Sequence, residues 1–248
     1  MDSRVIQADF DRIAMLSNDG WGHSRQYYEF LLRQLPPRCA CALEIGCGTG
    51  GFSRLLARRA GYVLAVDLSP RMVQVARKRS RHYPNVDFQV ADATMWRFPV
   101  ERYDCVACIA TLHHLPIEEM LSKMRNALKI GGTLVVLDLF QGEGLFDALS
   151  SVLAVPVSAA LRLVKTGRLR ESRQVRVVWA EHGRHDSYPT LSRIRRVCAS
   201  LLPGADVRRH LLWRYSIIWR KTVLSQREGG KLREVSELVH TAPIDGGG

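Results

Sequence analysis

Between residues 40 and 140, short runs of apolar residues alternate with amphipathic stretches along the chain. The apolar runs have the length of buried strands, and the stretches between them repeat their apolar residues at helical spacing. Near-continuous apolar strands separated by helices are typical of a parallel sheet covered on both faces. The predicted strands are Cys41–Ile45, Tyr62–Val66, Val86–Val90, Tyr103–Ile109 and Thr133–Leu139. The predicted helices cover Phe52–Arg59, a stretch that begins at Ser69-Pro70, and Ile117–Leu128.

The segments on either side of this region follow other patterns. Residues 1–35 are predicted to be helical, with a break at Asn18-Asp19-Gly20 and an end at Pro36-Pro37. Residues 140–190 interrupt the alternation with the apolar stretch Leu145–Val164 and then a basic stretch. The remaining predicted elements are a helix over Thr190–Leu201 and an antiparallel pair of strands, Val207–Leu212 and Tyr215–Arg220.

Together these elements predict an α/β fold with a seven-stranded, mostly parallel sheet flanked by helices. Residues 1–224 are predicted to form a single domain. Within it, residues 1–37 form a helical cap, and residues 140–190 form a lid inserted after strand five. Residues 225–248 are polar and end in three glycines, so they are predicted to be a flexible tail.

The charge of the chain is unevenly distributed. The net charge is +12, and residues 151–248 hold 18 Lys and Arg against 8 Asp and Glu, a net of +10. Such a surface suits nucleic acid, an anionic membrane or an acidic substrate, but it is also an ordinary solvated surface. The basic residues are scattered among apolar ones, which favours helix and strand faces over a nucleic-acid tail.

Cysteine usage and the apolar segments bear on metal binding and location. The six cysteines include Cys105 and Cys108 in strand four, where residues three apart face opposite sides, so no metal site is predicted. The N-terminus lacks the apolar core of a signal peptide. The stretch Leu145–Leu161 is short for a membrane span and contains Pro156. These features indicate a cytoplasmic enzyme with reduced thiols.

The glycine-rich turn after the first strand is the main candidate for chemistry. The sequence Leu43-Glu44-Ile45-Gly46-Cys47-Gly48-Thr49-Gly50 lets a ligand approach the backbone closely at the start of a helix. Asp67 ends the next strand, 17 residues after Gly50, where a carboxylate can accept ribose hydroxyl groups. Dinucleotide-dependent dehydrogenases share these features, although here the turn reads GCGTG rather than GxGxxG.

Taken in order, the motifs resemble those of the class I (Rossmann-like) S-adenosylmethionine-dependent methyltransferases of the small-molecule type. The matching motifs are Leu43–Gly50, Asp67 in Val-Asp-Leu-Ser-Pro, Asp92-Ala93, Tyr103-Asp104, Leu112-His113-His114-Leu115 and Leu128–Leu134. The resemblance covers residues 40–140 and implies S-adenosyl-L-methionine as the cofactor and S-adenosyl-L-homocysteine as the product.

The resemblance also implies roles for individual residues. Those expected to bind the amino-acid part of the cofactor are Glu44, Gly46, Cys47, Gly48 and Gly50. Asp67 would bind the ribose and Leu68 would pack on the adenine. Asp92 would meet the adenine amino group beside Ala93, or alternatively cap a loop. Ala110 and Thr111 would border the sulfonium.

The methyl acceptor is expected to meet residues from two further segments. His113 and His114 follow strand four, and a histidine there can remove a proton from the acceptor. The other expected substrate-binding residues are Trp21, His23, Tyr27 and Tyr28 of the cap. Packing in the interior is the alternative role for both sets. His182, His185 and Asp186 of the insertion are further candidates to reach the site.

The acceptor itself is predicted to be a small organic molecule, methylated at oxygen, nitrogen or sulfur. The sequence Ala110–His114 differs from the Asn/Asp-Pro-Pro-Tyr and Pro-Cys motifs of base-modifying relatives, so no nucleic-acid partner is expected. The apolar and basic insertion favours an apolar acceptor or peripheral contact with a membrane. Two alternatives remain open: methylation of RNA or protein by the basic C-terminal half, and a non-catalytic cofactor-binding subunit.

Overall fold

The structure is a computed structural model that describes residues 3–16, 23–142, 159–160, 163–164, 167, 172–184 and 186–223. Its strands are β1 (Cys39–Ile45), β2 (Ala60–Asp67), β3 (Val86–Val90), β4 (Tyr103–Ile109), β5 (Leu128–Leu139), β6 (Asp206–His210) and β7 (Arg214–Arg220). Its α-helices are α1 (Ser3–Leu16), α2 (Tyr28–Leu32), α3 (Ser53–Leu56), α4 (Pro70–Arg79), α5 (Ile117–Ala127), α6 (Arg173–His182) and α7 (Leu191–Leu201). Short 3-10 helices cover His23–Tyr27 and Leu112–His114.

The described strands form one seven-stranded sheet in the order β3-β2-β1-β4-β5-β7-β6. Strands β1 to β5 pair in parallel, and β7 pairs antiparallel with both β5 and β6. The predicted fold class, a mostly parallel sheet that ends in an antiparallel pair, is therefore confirmed.

Two hydrophobic cores cover the two faces of the sheet. One contains the apolar sides of α5 and α7, and the other contains those of α2, α3 and α4. Cys108 belongs to the first core and Cys105 to the second, and both side chains are buried. The two thiols therefore face opposite sides of the sheet, as their spacing in a strand predicts.

Helix α4 begins and ends as its sequence predicts. The hydroxyl of Ser69 accepts a hydrogen bond from the backbone N–H of Met72 at 3.0 Å, and Pro70 occupies the first helical turn. The last turn carries Arg77, Lys78 and Arg79, whose charges suit the negative end of the helix dipole.

The structure explains three differences from the predicted boundaries, at β5, β6 and α3. Strand β5 begins at Leu128 rather than Thr133, because the pair Gly131-Gly132 continues the strand and exchanges backbone hydrogen bonds with Lys221. Strand β6 ends at His210 because the chain turns there. The helix predicted over Phe52–Arg59 is limited to the four residues of α3.

Helix α1 and the described part of the insertion pack together at the carboxyl edge of the sheet. Ile13 and Ala14 of α1 contact Met72 of α4, and Val178 of α6 packs against the same cluster. Arg12 of α1 forms an ion pair with Glu181 of α6 at 3.5 Å.

Some sequence predictions lie outside the described residues: the break at Asn18-Asp19-Gly20, most of the apolar stretch Leu145–Val164, and the tail 225–248. Among the described residues, no helix has the length and apolar character that crossing a bilayer requires.

Candidate active site

The glycine turn lies at the point where the chain order of the sheet reverses. Strands β1 and β4 are neighbours, and a parallel sheet opens a crevice between the carboxyl ends of such a pair. The backbone N–H groups of Gly46 and Cys47 donate to the carbonyl of Val66 at 2.8 and 3.0 Å, which holds the turn against β2. Gly46 has a φ of +71°, and a Cβ there would overlap the side chain of Thr111. This position therefore requires glycine.

A cavity of about 1280 Å³ opens above this crevice. Ten of the eleven residues expected at the cofactor line it: Glu44, Gly46, Cys47, Gly48, Asp67, Leu68, Asp92, Ala93, Ala110 and Thr111. A Cβ on Gly48 would have nothing within 4 Å, so this part of the turn faces open space that a ligand can fill.

Gly50 is the exception, since it does not line the cavity. A Cβ there would lie 2.9 Å from the ring of Phe88 and 3.2 Å from Ala76, so this glycine allows the turn to pack closely on β3 and α4.

Two acids of the cavity wall are held by hydrogen bonds in a desolvated setting. Asp67 accepts from the backbone N–H of Gly48 at 2.8 Å and of Ser69 at 2.9 Å. Burial raises the pKa of Asp67 to about 6, although these hydrogen bonds oppose the shift. Glu44 accepts from the hydroxyl of Ser53, and burial raises its pKa to about 8 against the effect of that bond. Both carboxylates are therefore costly to ionise until a ligand supplies donors or positive charge.

Asp92 lies in the loop after β3. Its carboxylate accepts from the backbone N–H of Thr94 at 2.9 Å and from the Thr94 hydroxyl at 2.6 Å. Burial acts to raise the pKa of Asp92, but these hydrogen bonds outweigh it and lower the pKa below its ordinary value. Asp92 therefore shapes the loop while it also lines the cavity.

Beyond the glycine turn, the end of β4 carries a histidine bound to a buried carboxylate. Ala110 has a φ of +51°, an uncommon conformation for a residue with a side chain, and the chain turns sharply there. The Nδ1 atom of His113 lies 2.6 Å from Oδ1 of Asp138, and the backbone N–H of His113 donates to Oδ2 at 2.7 Å. An ionised carboxylate only accepts, so in the neutral imidazole Nδ1 carries the proton and Nε2 has the lone pair.

The neighbouring His114 belongs to a cluster that joins three segments of the chain. Its Nδ1 lies 3.5 Å from Oδ1 of Asp186, and Nε2 of His182 lies 3.6 Å from the same oxygen. Nδ1 of His182 lies 3.3 Å from Oδ2 of Asp9 on α1. Burial, together with the nearby His113, lowers the pKa of His114 to about 4. His114 is thus uncharged at neutral pH.

The same cluster has the spacing of a small cation site. His113, His114 and Asp186 each offer one ligand atom, and these atoms lie within 4.8 Å of one another. The sequence predicted no metal site, so the effect of chelators on activity is a direct test of this geometry.

The four cap residues expected to bind the substrate have different positions. Tyr28 lines the cavity, whereas Tyr27 does not: its hydroxyl donates to the carbonyl of Leu211 at 2.8 Å. This hydrogen bond fixes the cap to the turn between β6 and β7, and substrate binding by Tyr27 stays a prediction. Trp21 lies outside the described residues, and His23 begins a 3-10 helix whose first side chain is not described.

Several cavity residues were not among the sequence candidates. They include Phe10, Arg25, Trp179, Tyr188, Trp213 and Arg214, and the carboxylate of Asp138 lies directly behind His113. Asp138 carried a usable signal, since it is the charged residue of the predicted strand Thr133–Leu139. The other residues come from α1, the cap, the insertion and the β6–β7 turn. They come close to β4 only through tertiary packing, so the local sequence carries no signal of their position.

Comparison with known proteins identifies similar methyltransferases. Residues 42–132 match a family model described as a methyltransferase domain. The chain is 30% identical over 207 residues to an uncharacterized methyltransferase of Mycobacterium tuberculosis, covering 82% of this chain and 98% of that protein. It is 34% identical over 143 residues to the 2-phytyl-1,4-naphtoquinone methyltransferase of Thermosynechococcus vestitus, covering 54% and 64% of the two chains.

Solved structures share the fold at low sequence identity. The phosphoethanolamine N-methyltransferase 2 of Haemonchus contortus, determined with S-adenosylhomocysteine, aligns with a TM-score of 0.57 and 22% identity over 81% of this chain and 42% of that one. The geranyl diphosphate C-methyltransferase of Streptomyces coelicolor aligns with a TM-score of 0.57 and 15% identity over 80% and 79% of the two chains.

Proposed function

The chain belongs to the class I methyltransferases that use S-adenosylmethionine, and we propose that its acceptor is a small, partly apolar organic molecule methylated at oxygen, nitrogen or sulfur. The observation that carries this proposal is the cavity, which extends from the glycine turn to a wall that includes Phe10, Trp179 and Trp213. Its volume of about 1280 Å³ exceeds the range of roughly 300–1,000 Å³ that is typical for one small ligand. The cavity therefore has room for an acceptor beside the cofactor.

Names of similar proteins support a small-molecule acceptor. One relative is the 2-phytyl-1,4-naphtoquinone methyltransferase, and another is a ubiquinone biosynthesis O-methyltransferase of Xanthomonas axonopodis. The second is 30% identical to this chain over 145 residues, which cover 53% of this chain and 61% of that protein. The peripheral membrane contact expected from the insertion stays a prediction.

We assign the cofactor contacts by position in the cavity wall. Glu44 and the Gly46–Gly48 turn bind the amino-acid part, and Asp67 accepts hydrogen bonds from the ribose hydroxyl groups. Leu68 packs on the adenine, with Asp92 near its amino group. The two small residues assigned to the same pocket are Ala93 beside the adenine and Ala110 beside the sulfonium.

The acceptor side of the cavity is assigned to His113. When bound, the cofactor supplies a methyl group already activated on a positively charged sulfur. His113 offers the lone pair of Nε2 to the proton of the acceptor's hydroxyl, amine or thiol group. Asp138 fixes the orientation of the ring and stabilises the positive charge that the imidazole gains. The acceptor's proton would thus move to Nε2, and its heteroatom would accept the methyl group as the carbon–sulfur bond breaks and S-adenosylhomocysteine is released. His114, uncharged and next to His113, contacts the acceptor rather than taking its proton.

The experiment that tests this function uses cofactor with a radiolabelled methyl group. The protein is mixed with the labelled cofactor and a fractionated extract of its own host cells, and label is counted in lipid, polar small-molecule, RNA and protein fractions. We expect label in a small-molecule fraction. Label in RNA or protein would overturn the proposed acceptor class, and binding of S-adenosylhomocysteine without any transfer would favour a non-catalytic subunit.

Two histidine variants provide the matched control. His113→Ala removes the proposed base, whereas His82→Ala removes an exposed histidine that is not part of the cavity wall. Only the first is expected to lose transfer of label, while both should bind S-adenosylhomocysteine as the wild type does.

A further inference from the structure

Arg214 places a buried positive charge in the wall of the cavity. It is the first residue of β7 and lies in register with Leu139 at the end of β5. The residue is only 8% exposed, and it lines the cavity together with His113 and Tyr188. A guanidinium in such a setting has lost most of its contact with water.

The hydrogen bonds of Arg214 do not neutralise its charge. Nε donates to the hydroxyl of Ser24 at 3.3 Å, and Nη1 donates to the carbonyl of Leu212 at 3.2 Å. Within the part of the chain that the structure describes, no carboxylate forms an ion pair with Arg214, and Nη2 has no hydrogen-bond acceptor. Burial lowers the pKa of Arg214, and the nearby charge of Asp138 only partly offsets that effect.

Asp138 is already committed to other donors. Its two oxygens accept from Nδ1 and the backbone N–H of His113 and from the backbone N–H of Leu139. A buried cation without its own counter-ion is destabilising. The positive charge of Arg214 therefore lacks an anionic partner of its own among the described residues, and a bound ligand can supply one.

The turn before Arg214 has a strained backbone that holds the residue in place. Leu212 and Trp213 have φ values of +59° and +57°, in the left-handed region that residues with side chains rarely adopt. Backbone strain of this kind is typically found where a functional group must be presented in a fixed position. Here the turn directs both Trp213 and Arg214 to the cavity.

The amino-acid end of the cofactor lies elsewhere in the proposed arrangement. The order β1-β4-β5-β7 puts three strand spacings between the glycine turn and Arg214, about 14 Å at roughly 4.8 Å per strand. A different cation is close to the glycine turn, since a Cβ on Gly51 would lie 3.3 Å from Nη2 of Arg25. The backbone of Arg214 therefore lies nearer to β5, which carries the Asp138 partner of His113, than to the glycine turn.

We propose that Arg214 binds an anionic group of the methyl acceptor, a carboxylate or a phosphate, so that the acceptor combines an apolar body with an oxyanion. This inference rests on the proposed function and narrows its substrate class. A guanidinium can bind either oxyanion through two parallel hydrogen bonds. The aromatic side chains around it would contact the apolar body of the acceptor.

The charge of the labelled product tests this inference separately from the function. Labelled small molecules from the extract reaction are applied to an anion-exchange resin at pH 8. We expect the product to be retained and then released by salt. A phosphatase that abolishes retention identifies a phosphate monoester, whereas unchanged retention points to a carboxylate or a phosphodiester, which mass spectrometry of the product distinguishes. A labelled small molecule that is not retained would leave the methyltransferase assignment intact and overturn the role of Arg214. Absence of label from small molecules would overturn both the proposed function and the role of Arg214.

Substitution of Arg214 tests whether this residue binds the anionic group of the acceptor. In Arg214→Met, transfer of label is expected to fall about 100-fold, the loss typical of a charge-assisted pair, and in Arg214→Lys it should fall less. The Kd for S-adenosylhomocysteine should stay within about twofold of the wild type, and the unfolding midpoint of the ligand-free protein should not decrease. The control is Arg208→Met, which removes an exposed arginine paired with Asp206 and should behave as the wild type. Unchanged transfer in both Arg214 variants, or a parallel loss of S-adenosylhomocysteine binding, would overturn the proposal.

Discussion

Replacement of Asp67 by alanine is the most direct perturbation of the proposed cofactor site. The carboxylate is held at the end of β2 by the backbone N–H groups of Gly48 and Ser69. Its remaining lone pairs are assigned to the ribose hydroxyl groups. Hydrogen bonds to a charged acceptor contribute about 1.5–3 kcal/mol, so Asp67→Ala should weaken binding of S-adenosylhomocysteine by about 10- to 160-fold.

The assay is isothermal titration calorimetry with S-adenosylhomocysteine at constant ionic strength. Asp87→Ala serves as the control, because Asp87 lies on the neighbouring strand β3 and is not part of the cavity wall. The Kd of this control for S-adenosylhomocysteine should lie within about twofold of the wild-type value. Equal unfolding midpoints of the two variants would exclude misfolding as the cause of weaker binding.

The pH dependence of binding gives a second, independent readout. Burial raises the pKa of Asp67 to about 6, so the ligand-free protein takes up a proton there as the pH falls. The ribose hydroxyl groups donate to the ionised form, and affinity for S-adenosylhomocysteine should therefore decrease as the pH falls below about 6. The variant Asp67→Asn, which has no such proton to bind, should lack this decrease. A wild-type Kd for Asp67→Ala, or an identical pH profile for Asp67→Asn, would refute the placement of the ribose.

Three further predictions concern other parts of the site. His113→Ala should reduce the rate of methyl transfer by at least about 100-fold without changing the Kd for S-adenosylhomocysteine, because the residue is assigned to removal of the acceptor's proton. An unchanged rate would contradict this role as base, and so would loss of wild-type activity in EDTA. Gly46→Ala should destabilise the fold far more than Gly48→Ala in thermal unfolding, because a Cβ overlaps Thr111 at the first position and meets open space at the second. Gly48→Ala should instead lose S-adenosylhomocysteine binding. Equal unfolding midpoints of the two variants would show that Thr111 does not restrict the space at Gly46. The ligand-free protein should lose stability as the pH rises from about 4.5, the ordinary pKa of Glu44, to about 8, because the folded chain keeps a proton on Glu44 that the unfolded chain has released. Glu44→Gln should lose less stability between pH 5 and pH 9 in thermal unfolding, and equal slopes would contradict this origin.

The local chemistry of the sequence predicted much of the fold. The apolar runs predicted the five parallel strands because buried strands in such sheets have few polar residues. The start of α4 was predictable from Ser69-Pro70, since the cap is formed within one turn. The start of β5 was not, because Gly131 and Gly132 have loop propensity and become part of a strand only through pairing with Lys221, which is about 90 residues away.

The candidate site was predictable where its residues follow strand ends along the chain. The turn at Gly46–Gly48 and Asp67 are of this kind, because parallel strands bring their carboxyl ends to one edge. The partner of His113 depends on the register of β4 against β5, and the position of Arg214 depends on a turn with two left-handed residues. Tyr27 and Tyr28 are adjacent in sequence, yet Tyr28 lines the cavity while the hydroxyl of Tyr27 bonds to Leu211. Such contacts between distant segments have no local signature in the sequence.

The two desolvated acids, Glu44 and Asp67, connect the lifetime of the protein to its cofactor. Without ligand, burial of these acids lowers the free energy of unfolding at neutral pH, because the unfolded chain ionises them at lower cost, and a bound ligand that donates to them restores it. Chains that lack ligand therefore unfold more often and are the ones that proteases reach first. We expect the steady-state amount of this enzyme in a cell to follow the supply of the methyl donor, so that scarcity of the donor reduces the number of enzyme molecules competing for it.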